Sequence, residues 1–319
     1  HRKTNSPSPP CFPFFILFRL ATLQPYPYHV SFCGDIDLAG HRKPQSFLRA
    51  VMWRNSPLEM AVHAPVAPDE HEVVLSWGFA DERQSWTWRT EDFTAARTTV
   101  AKSPLQVNVY ARADVVATVG LTLNGKAIGQ HVAVDAAQFR AQFTVPYVPG
   151  TLVATGYDAS GNAIKDATKT FVTAGEPAAV LVEADRTSYY SDRNDLVFLT
   201  ATAVDAKGVR VPWYSSSLYF PPFGIGNDVN GRHEATHELI AVGSGDPLDR
   251  SPTMMSHLSG SGTRNAFNGR VIGIYRLVRP LTGINEKFAG LTFNTTFTAS
   301  SASGDLQGNA VTLGFVPKI

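Results

Sequence analysis

The sequence has no run of lysines or arginines, and its formal net charge is only +1. Phosphate contacts need clustered positive charge, so nucleic acid is excluded as a partner. Cysteine is scarce too: only Cys11 and Cys33 are present, both near the start. Two cysteines build no disulfide framework, so everything after Cys33 must fold without one, and the redox compartment stays open. The apolar run from Cys11 to Phe18 is too short to span a bilayer, which needs roughly 20 residues, so no membrane span is expected.

Methionine is missing before Met52, and the first residue is His1. A chain translated from its own start begins with methionine, so a processed product or an incomplete fragment is expected. The run from Cys11 to Phe18, preceded by His1-Arg2-Lys3, imitates a signal peptide, but a small-x-small cleavage site is missing and prolines interrupt the approach. A truncated or mis-translated end is the preferred reading. Location is left open, with an extracellular or periplasmic one favoured. The sequon Asn294-Thr295-Thr296 would matter only in a eukaryotic secretory pathway.

What is present is an ordinary globular composition. Of the 319 residues, 44 % are hydrophobic and 17 % charged, which gives room for two or three domains and an ample core. Phe47, Leu48, Val51 and Met52 fall at i, i+1, i+4 and i+5 behind Pro44, the spacing of one apolar helical face. Trp53, at the end of that helix, is expected in the core. Beyond the prolines at 57, 65 and 68 nearly everything alternates. Leu105, Val107 and Val109 point one way; Val119, Leu121 and Leu123 do the same and run into Asn124-Gly125, the strongest short-range hairpin signal. Phe139, Ala141, Phe143 and Val145 predict another strand, and residues 152–157 one more before the turn at Ser160-Gly161-Asn162. Gly175-Glu176-Pro177 reads as a linker, after which the pattern restarts with strands around 179–182, 196–199, 269–277 and 291–297. Residues 213–262, rich in glycine, proline, serine and aromatics, read as a long loop. The expected fold is mainly β: two Ig-like sandwiches preceded by a short helix-bearing segment.

Three stretches carry a family resemblance. Gly34-Asp35-Ile36-Asp37-Leu38-Ala39-Gly40, followed by Lys43-Pro44-Gln45-Ser46-Phe47-Leu48-Arg49 and Trp53, resembles the signature of family 2 glycoside hydrolases in which a loop leaves the last strand of the catalytic (β/α)8 barrel and a closing helix follows. Trp77-Gly78-Phe79-Ala80-Asp81-Glu82 and Ser85-Trp86-Thr87-Trp88 resemble the opening of the sandwich after the barrel in the β-galactosidase branch. Leu105 to Tyr110 and Leu121 to Lys126 are similar to strands of that domain. Asp195 to Phe198, Val204 to Gly208, Ala241 to Pro247 and Phe267 to Arg270 resemble the Ig-like terminal domain. The resemblance implies four parts: an unmatched segment 1–30, the end of a TIM barrel with a linker at 31–66, a β-sandwich at 67–176 and an Ig-like domain at 177–319.

The same resemblance implies a retaining glycosidase with two catalytic glutamates about 5–5.5 Å apart on earlier barrel strands. Neither maps onto this chain, so no catalytic residue is assigned. The expected function is the accessory end of a β-galactosidase-like enzyme, inactive as an isolated chain, with carbohydrate as partner through the parent enzyme, no cofactor, and homo-oligomeric contacts an open possibility. The alternative is a free-standing carbohydrate-binding or adhesion module.

The candidate sugar-contacting residues are Asp35, Asp37, Trp77, Trp86 and Trp88. Two aspartates two apart on a strand share a face and can meet hydroxyls, although such residues more often hold a loop by accepting backbone N–H bonds. The tryptophans can stack on a sugar ring, although core packing is the commoner use. His233-Glu234-Ala235-Thr236-His237 spells a zinc-hydrolase motif, but it needs a helix and a strand is expected there, so no metal is assigned. Asp158-Ala159-Ser160-Gly161-Asn162 reads as a turn and not as a calcium loop.

Overall fold

The computed structural model describes residues 34–67, 80–190, 194–227, 233–249, 251, 262–278 and 293–316. Within them the protein is mainly β, with two helices, α1 (Gln45–Met52) and α2 (Thr90–Ala95). Neither helix is long and apolar enough to cross a membrane.

The first core lies between two sheets. Strands β1 (Leu58–His63), β2 (Glu82–Arg83), β3 (Leu105–Ala111), β4 (Thr118–Leu123), β5 (Lys126–Ala127), β6 (Val132–Ala133), β7 (Arg140–Val145), β8 (Thr151–Tyr157) and β9 (Ala163–Val172) form them. One sheet runs β2-β1-β3-β7; the other runs β5-β4-β8-β9, with β6 added on β4. Alternation does the work: Leu105, Val107 and Val109 meet Val119, Leu121 and Leu123 in one cluster of buried side chains. Asn124 and Gly125 both take positive φ, the geometry that a two-residue hairpin between right-twisted strands requires. Leu123 then pairs with Lys126. The Ser160-Gly161-Asn162 segment is a turn held by Asp158, whose Oδ1 accepts the backbone N–H groups of Ser160 and Asn162. Phe139 departs from expectation: it has φ +55° and stands just outside β7, so only Ala141, Phe143 and Val145 line the core.

The second core is built by β10 (Pro177–Ala184), β11 (Ser188–Tyr190), β12 (Leu196–Asp205), β13 (Ser217–Tyr219), β14 (Phe223–Asn227), β15 (His233–Gly243), β16 (Thr263–Asn265), β17 (Arg270–Leu277), β18 (Phe293–Phe297), β19 (Ser300–Ser301) and β20 (Val311–Val316). An eight-stranded sheet, β10-β12-β17-β15-β14-β18-β20-β11, curls until its two ends share one core with a three-stranded sheet, β16-β13-β19. The stretch 213–262 is thus not a long loop, since β13, β14 and β15 all arise from it. Gly224 sits where a Cβ would strike the Phe297 ring, and Gly226 where one would strike the backbone of Asn294, so both mark close approach inside a sheet.

The helix forms behind Pro44 as expected, with the Ser46 N–H donating to Lys43 O at 2.9 Å. Its buried face is rotated relative to expectation. Ser46, Phe47, Ala50 and Val51 are buried, Leu48 is half-buried, and Met52 is exposed. Trp53, expected in the core, is 67 % exposed. The helix lies against β1 and β3. The second helix, α2, was not anticipated; its signal is local, because the Asp92 carboxylate accepts the Arg89 N–H at 2.8 Å, half of a capping box.

Candidate functional site

Residues 34–43 form a small hairpin that precedes α1. Ile36 bridges Arg42, Lys43 N donates to Asp35 O at 2.8 Å, and Asp37 N donates to His41 O at 2.8 Å. Gly40 turns the chain at φ +84°, a conformation that costs any other residue.

Both candidate aspartates point inward from this hairpin. Asp37 Oδ1 accepts the N–H groups of Ala39 and His41, each at 2.9 Å, and Oδ2 lies 3.5 Å from His41 Nδ1. Burial pushes the Asp37 carboxyl upward, but the hydrogen bonds from the His41 side chain and backbone outweigh it and hold the group below its ordinary value. Asp37 also packs on the second sandwich: a Cβ at Gly245 would overlap its carboxylate. Asp35 pairs with Arg49 on α1. His41 Nε2 stands 3.5 Å from Thr200 Oγ1 on β12. The aspartates therefore fasten the hairpin to α1 on one side and to the second sandwich on the other.

The opposite side of the hairpin is apolar. Ile36 is 59 % exposed and Leu38 54 % exposed, and on α1 Met52 and Trp53 are exposed too. Polarity is thus reversed relative to an ordinary surface hairpin, acids inside and aliphatics out.

A third tie was invisible in the sequence. Glu59 on β1 is 2 % exposed and lies 3.1 Å from Arg42 Nη1 and 3.1 Å from Lys169 Nζ on β9. A buried carboxylate needs such partners, and here they bind the hairpin to the first sandwich. Gly245 was equally silent, because a glycine chosen for close approach looks like any other glycine.

Trp86 and Trp88 are buried in the core of the first sandwich, on the segment whose neighbours Gln84 and Arg89 reach the second. Trp86 is 0 % exposed, its ring centroid 5.2 Å from that of Tyr147 and its indole N–H donating to Val148 O at 2.9 Å. Trp88 is buried, with the Arg83 guanidinium 4.9 Å from its ring centroid. Thr87 between them accepts the Ala174 N–H at 2.9 Å, and Trp86 O accepts the Thr173 hydroxyl at 2.9 Å. The Arg89 guanidinium stacks 4.7 Å from the Trp213 centroid, while Gly175 N donates to Asp205 Oδ2 at 2.8 Å. The segment at Gly175 is thereby held at both ends. In this arrangement neither indole offers a ring face to solvent. Trp77 lies outside the described residues.

The His-Glu-x-x-His run falls in β15, an extended strand. Positions four apart in a strand are about 13 Å apart, against one turn in the helical zinc motif. His237 is buried against the rings of Phe297 and Phe315, and burial pushes it down to about 4.

A family model described as a domain of unknown function (DUF4982) matches residues 102–165, the middle of the first sandwich. No curated protein matches the chain. Several solved structures do superpose. A glycosyl hydrolase family 2 member from Bacteroides cellulosilyticus aligns with TM-score 0.64 at 24 % identity, over 90 % of this chain and 32 % of that one. A β-glycosidase from Bacteroides vulgatus aligns with TM-score 0.57 at 17 % identity, over 89 % and 28 %. A β-glucuronidase from glycoside hydrolase family 2 aligns with TM-score 0.54 at 18 % identity, over 90 % and 23 %. The chain thus spans about a third or less of the length of the structures it is similar to, and what it shares with them is the fold.

Proposed function

We propose that this chain is the accessory, non-catalytic C-terminal region of a family 2 glycoside hydrolase of the β-galactosidase type. Its role in the longer enzyme is to brace the catalytic barrel and to shape the rim of the sugar site. The observation that carries this reading is the reversed hairpin. Asp35 and Asp37 are spent on internal ties, and Ile36, Leu38, Met52 and Trp53 are left facing outward. Exposed aliphatics on a loop so firmly held suit a surface that another part of the same enzyme covers. The motif spanning Ser85 to Trp88, buried here in the first sandwich, supports the β-galactosidase branch through its resemblance.

Glycoside hydrolysis by a retaining route needs a nucleophilic carboxylate and an acid carboxyl about 5–5.5 Å apart. The aspartates of the hairpin do not serve as such a pair, because Asp37 is held ionised by its hydrogen bonds and Asp35 is engaged by Arg49. The pure chain should therefore release no nitrophenol from an aryl β-galactoside, and measurable turnover would overturn the non-catalytic assignment. Sequencing the DNA upstream of the His1 codon tests the rest. A continuing frame that encodes earlier barrel strands with two glutamates is the expected result; a nearby start codon or stop would move the free-standing binding module to the front.

A further inference from the structure

Four exposed apolar side chains share one outer face of the second sandwich. Thr295 and Phe297 on β18, Leu313 and Phe315 on β20 and Tyr189 on β11 are all buried. Alternation therefore turns Asn294, Thr296, Thr312, Gly314, Val316 and Tyr190 outward. On β14, Gly224 lies against the Phe297 ring, so Phe223 and Ile225 face outward as well. Phe223, Ile225, Val316 and Tyr190 are exposed. Strand register sets their order. Ile225, Thr296 and Thr312 make one row, Asn294, Gly314 and Ser188 the next, and Val316 with Tyr190 the third. Asn294 thus stands in the middle row, with Ile225 to one side and Val316 and Tyr190 to the other.

The same residue opens the run Asn294-Thr295-Thr296, and no other Asn-x-Ser/Thr run occurs in the 319 residues. Asn294 is exposed, and among the described residues its side-chain amide makes no hydrogen bond. Opposite it on β20 stands Gly314, which has no side chain to overhang the amide. Thr296 shares the outer face, its Oγ1 3.0 Å from Thr312 Oγ1, while Thr295 between them is buried. Asparagine is depleted in strands, and this one contributes no packing and no side-chain bond to the sheet. Two observations therefore coincide: an acceptor sequence with an open amide, and a group of exposed apolar side chains on both sides of it.

We infer that Asn294 carries an N-linked oligosaccharide whose first sugars lie over Gly314 and cover the apolar side chains around it. In the transfer, the Asn294 amide nitrogen bonds to the anomeric carbon of an oligosaccharide held on a lipid pyrophosphate. The bond from that carbon to the pyrophosphate oxygen breaks, the lipid pyrophosphate leaves with the electron pair, and the amide gives up one proton. The C–H faces of the attached sugars pack on Ile225, Val316 and the Tyr190 ring, and their hydroxyls stay in water. A patch of the kind that otherwise marks a protein contact is thereby made soluble. The inference places the chain in a secretory pathway that supplies this donor, and it does not depend on the glycosidase reading.

The test is secretory expression of the full chain in yeast behind a cleavable leader, with protein recovered from the medium and from the cell lumen alike. Peptide mapping by mass spectrometry should find Asn294 glycosylated, and release by peptide N-glycosidase F in heavy-oxygen water should leave a labelled aspartate in its place. Asn294→Gln and Thr296→Ala should each abolish the glycan, and Thr296→Ser should keep it. A chain whose leader has been cleaved but whose Asn294 is bare overturns the site. Should Asn294→Gln fail to fold, the peptide map of the wild-type chain decides alone. The covering role has its own readout. After enzymatic release of the glycan, light scattering should show the chain self-associating, and Ile225→Ser should suppress that association. The same association state with and without the glycan would overturn the cover.

Discussion

The two sandwiches solve the same packing problem with different residues. In the first, aliphatic side chains on alternating strands fill most of the space, and a ring group of Trp86 and Phe93 about Tyr147, with Trp88 beside it, closes one end. In the second, a chain of rings runs through the core: Phe220 on Tyr275, Tyr275 on Phe297, Phe297 on His237, His237 on Phe315 and Phe315 on Tyr189. Aromatic packing admits a titratable ring where aliphatic packing would not. The first core should therefore respond to loss of volume, and the second should respond to pH as well.

The largest effect expected is in the first sandwich. Trp86→Ala removes a fully buried indole and leaves the Val148 carbonyl without its donor, which should cost about 3–5 kcal/mol. Urea unfolding followed by near-ultraviolet circular dichroism would show the first sandwich melting early while the second keeps its transition. If both transitions stay together and merely shift, the two cores are one cooperative unit and the comparison fails.

The next effect belongs to the second sandwich. Burial lowers His237 from the ordinary value of 6.5 to about 4, so the unfolded chain takes up a proton between those values and the folded chain does not. Stability is then complete above about pH 6.5 and falls as the pH drops toward 4, by on the order of 3 kcal/mol. Carboxyls held low, such as Asp37, Asp205 and Asp249, lose their contribution only as the pH falls through the usual carboxylate range and below, outside most of that window. Urea midpoints measured from pH 7.5 to 4 should decline for the wild type and stay flatter for His237→Leu. A decline of equal size in both would mean that His237 is not the sensor.

A smaller effect should appear where the hairpin joins the sandwiches. Gly245→Ala drives a methyl group into the Asp37 carboxylate, and overpacking of this kind costs about 1–3 kcal/mol. Its local signature is release of residues 34–43, read as faster tryptic cleavage after Arg42 with the two sandwiches still folded. Cleavage at the wild-type rate would show that the second sandwich does not hold the loop.

How much of this was legible in the sequence follows from what each residue's neighbours encode. The strands of the first sandwich could be read because alternation and the Asn124-Gly125 turn are local signals. The strands between Ser217 and Asn227 could not, because Gly224 and Gly226 answer to Phe297 and Asn294, about seventy residues later. Helix α1 was legible, but its orientation was not, since Phe47 and Ala50 rather than Met52 face the sheet. The same holds for the candidate site. Asp35 and Asp37 stood out by motif, yet their orientation depends on Arg49 and Gly245, and Glu59 carries no local mark at all.

The smallest effect is the one that separates packing inside this chain from packing it would make elsewhere. Trp53 and Trp86 are both tryptophans next to motif residues, but one is 67 % exposed and the other fully buried. Trp53→Ala in this chain should change stability by less than about 0.5 kcal/mol, because an exposed side chain has few contacts to lose. Met52 beside it, and Ile36 and Leu38 on the hairpin, are exposed as well. In a longer enzyme that includes a barrel, the same substitution should become destabilising by the 3–5 kcal/mol typical of a buried indole. Thermal melts of Trp53→Ala in both contexts separate the alternatives: a neutral result in both would mean that the exposed end of α1 faces solvent in the complete protein too, and the barrel-bracing role would lose that support.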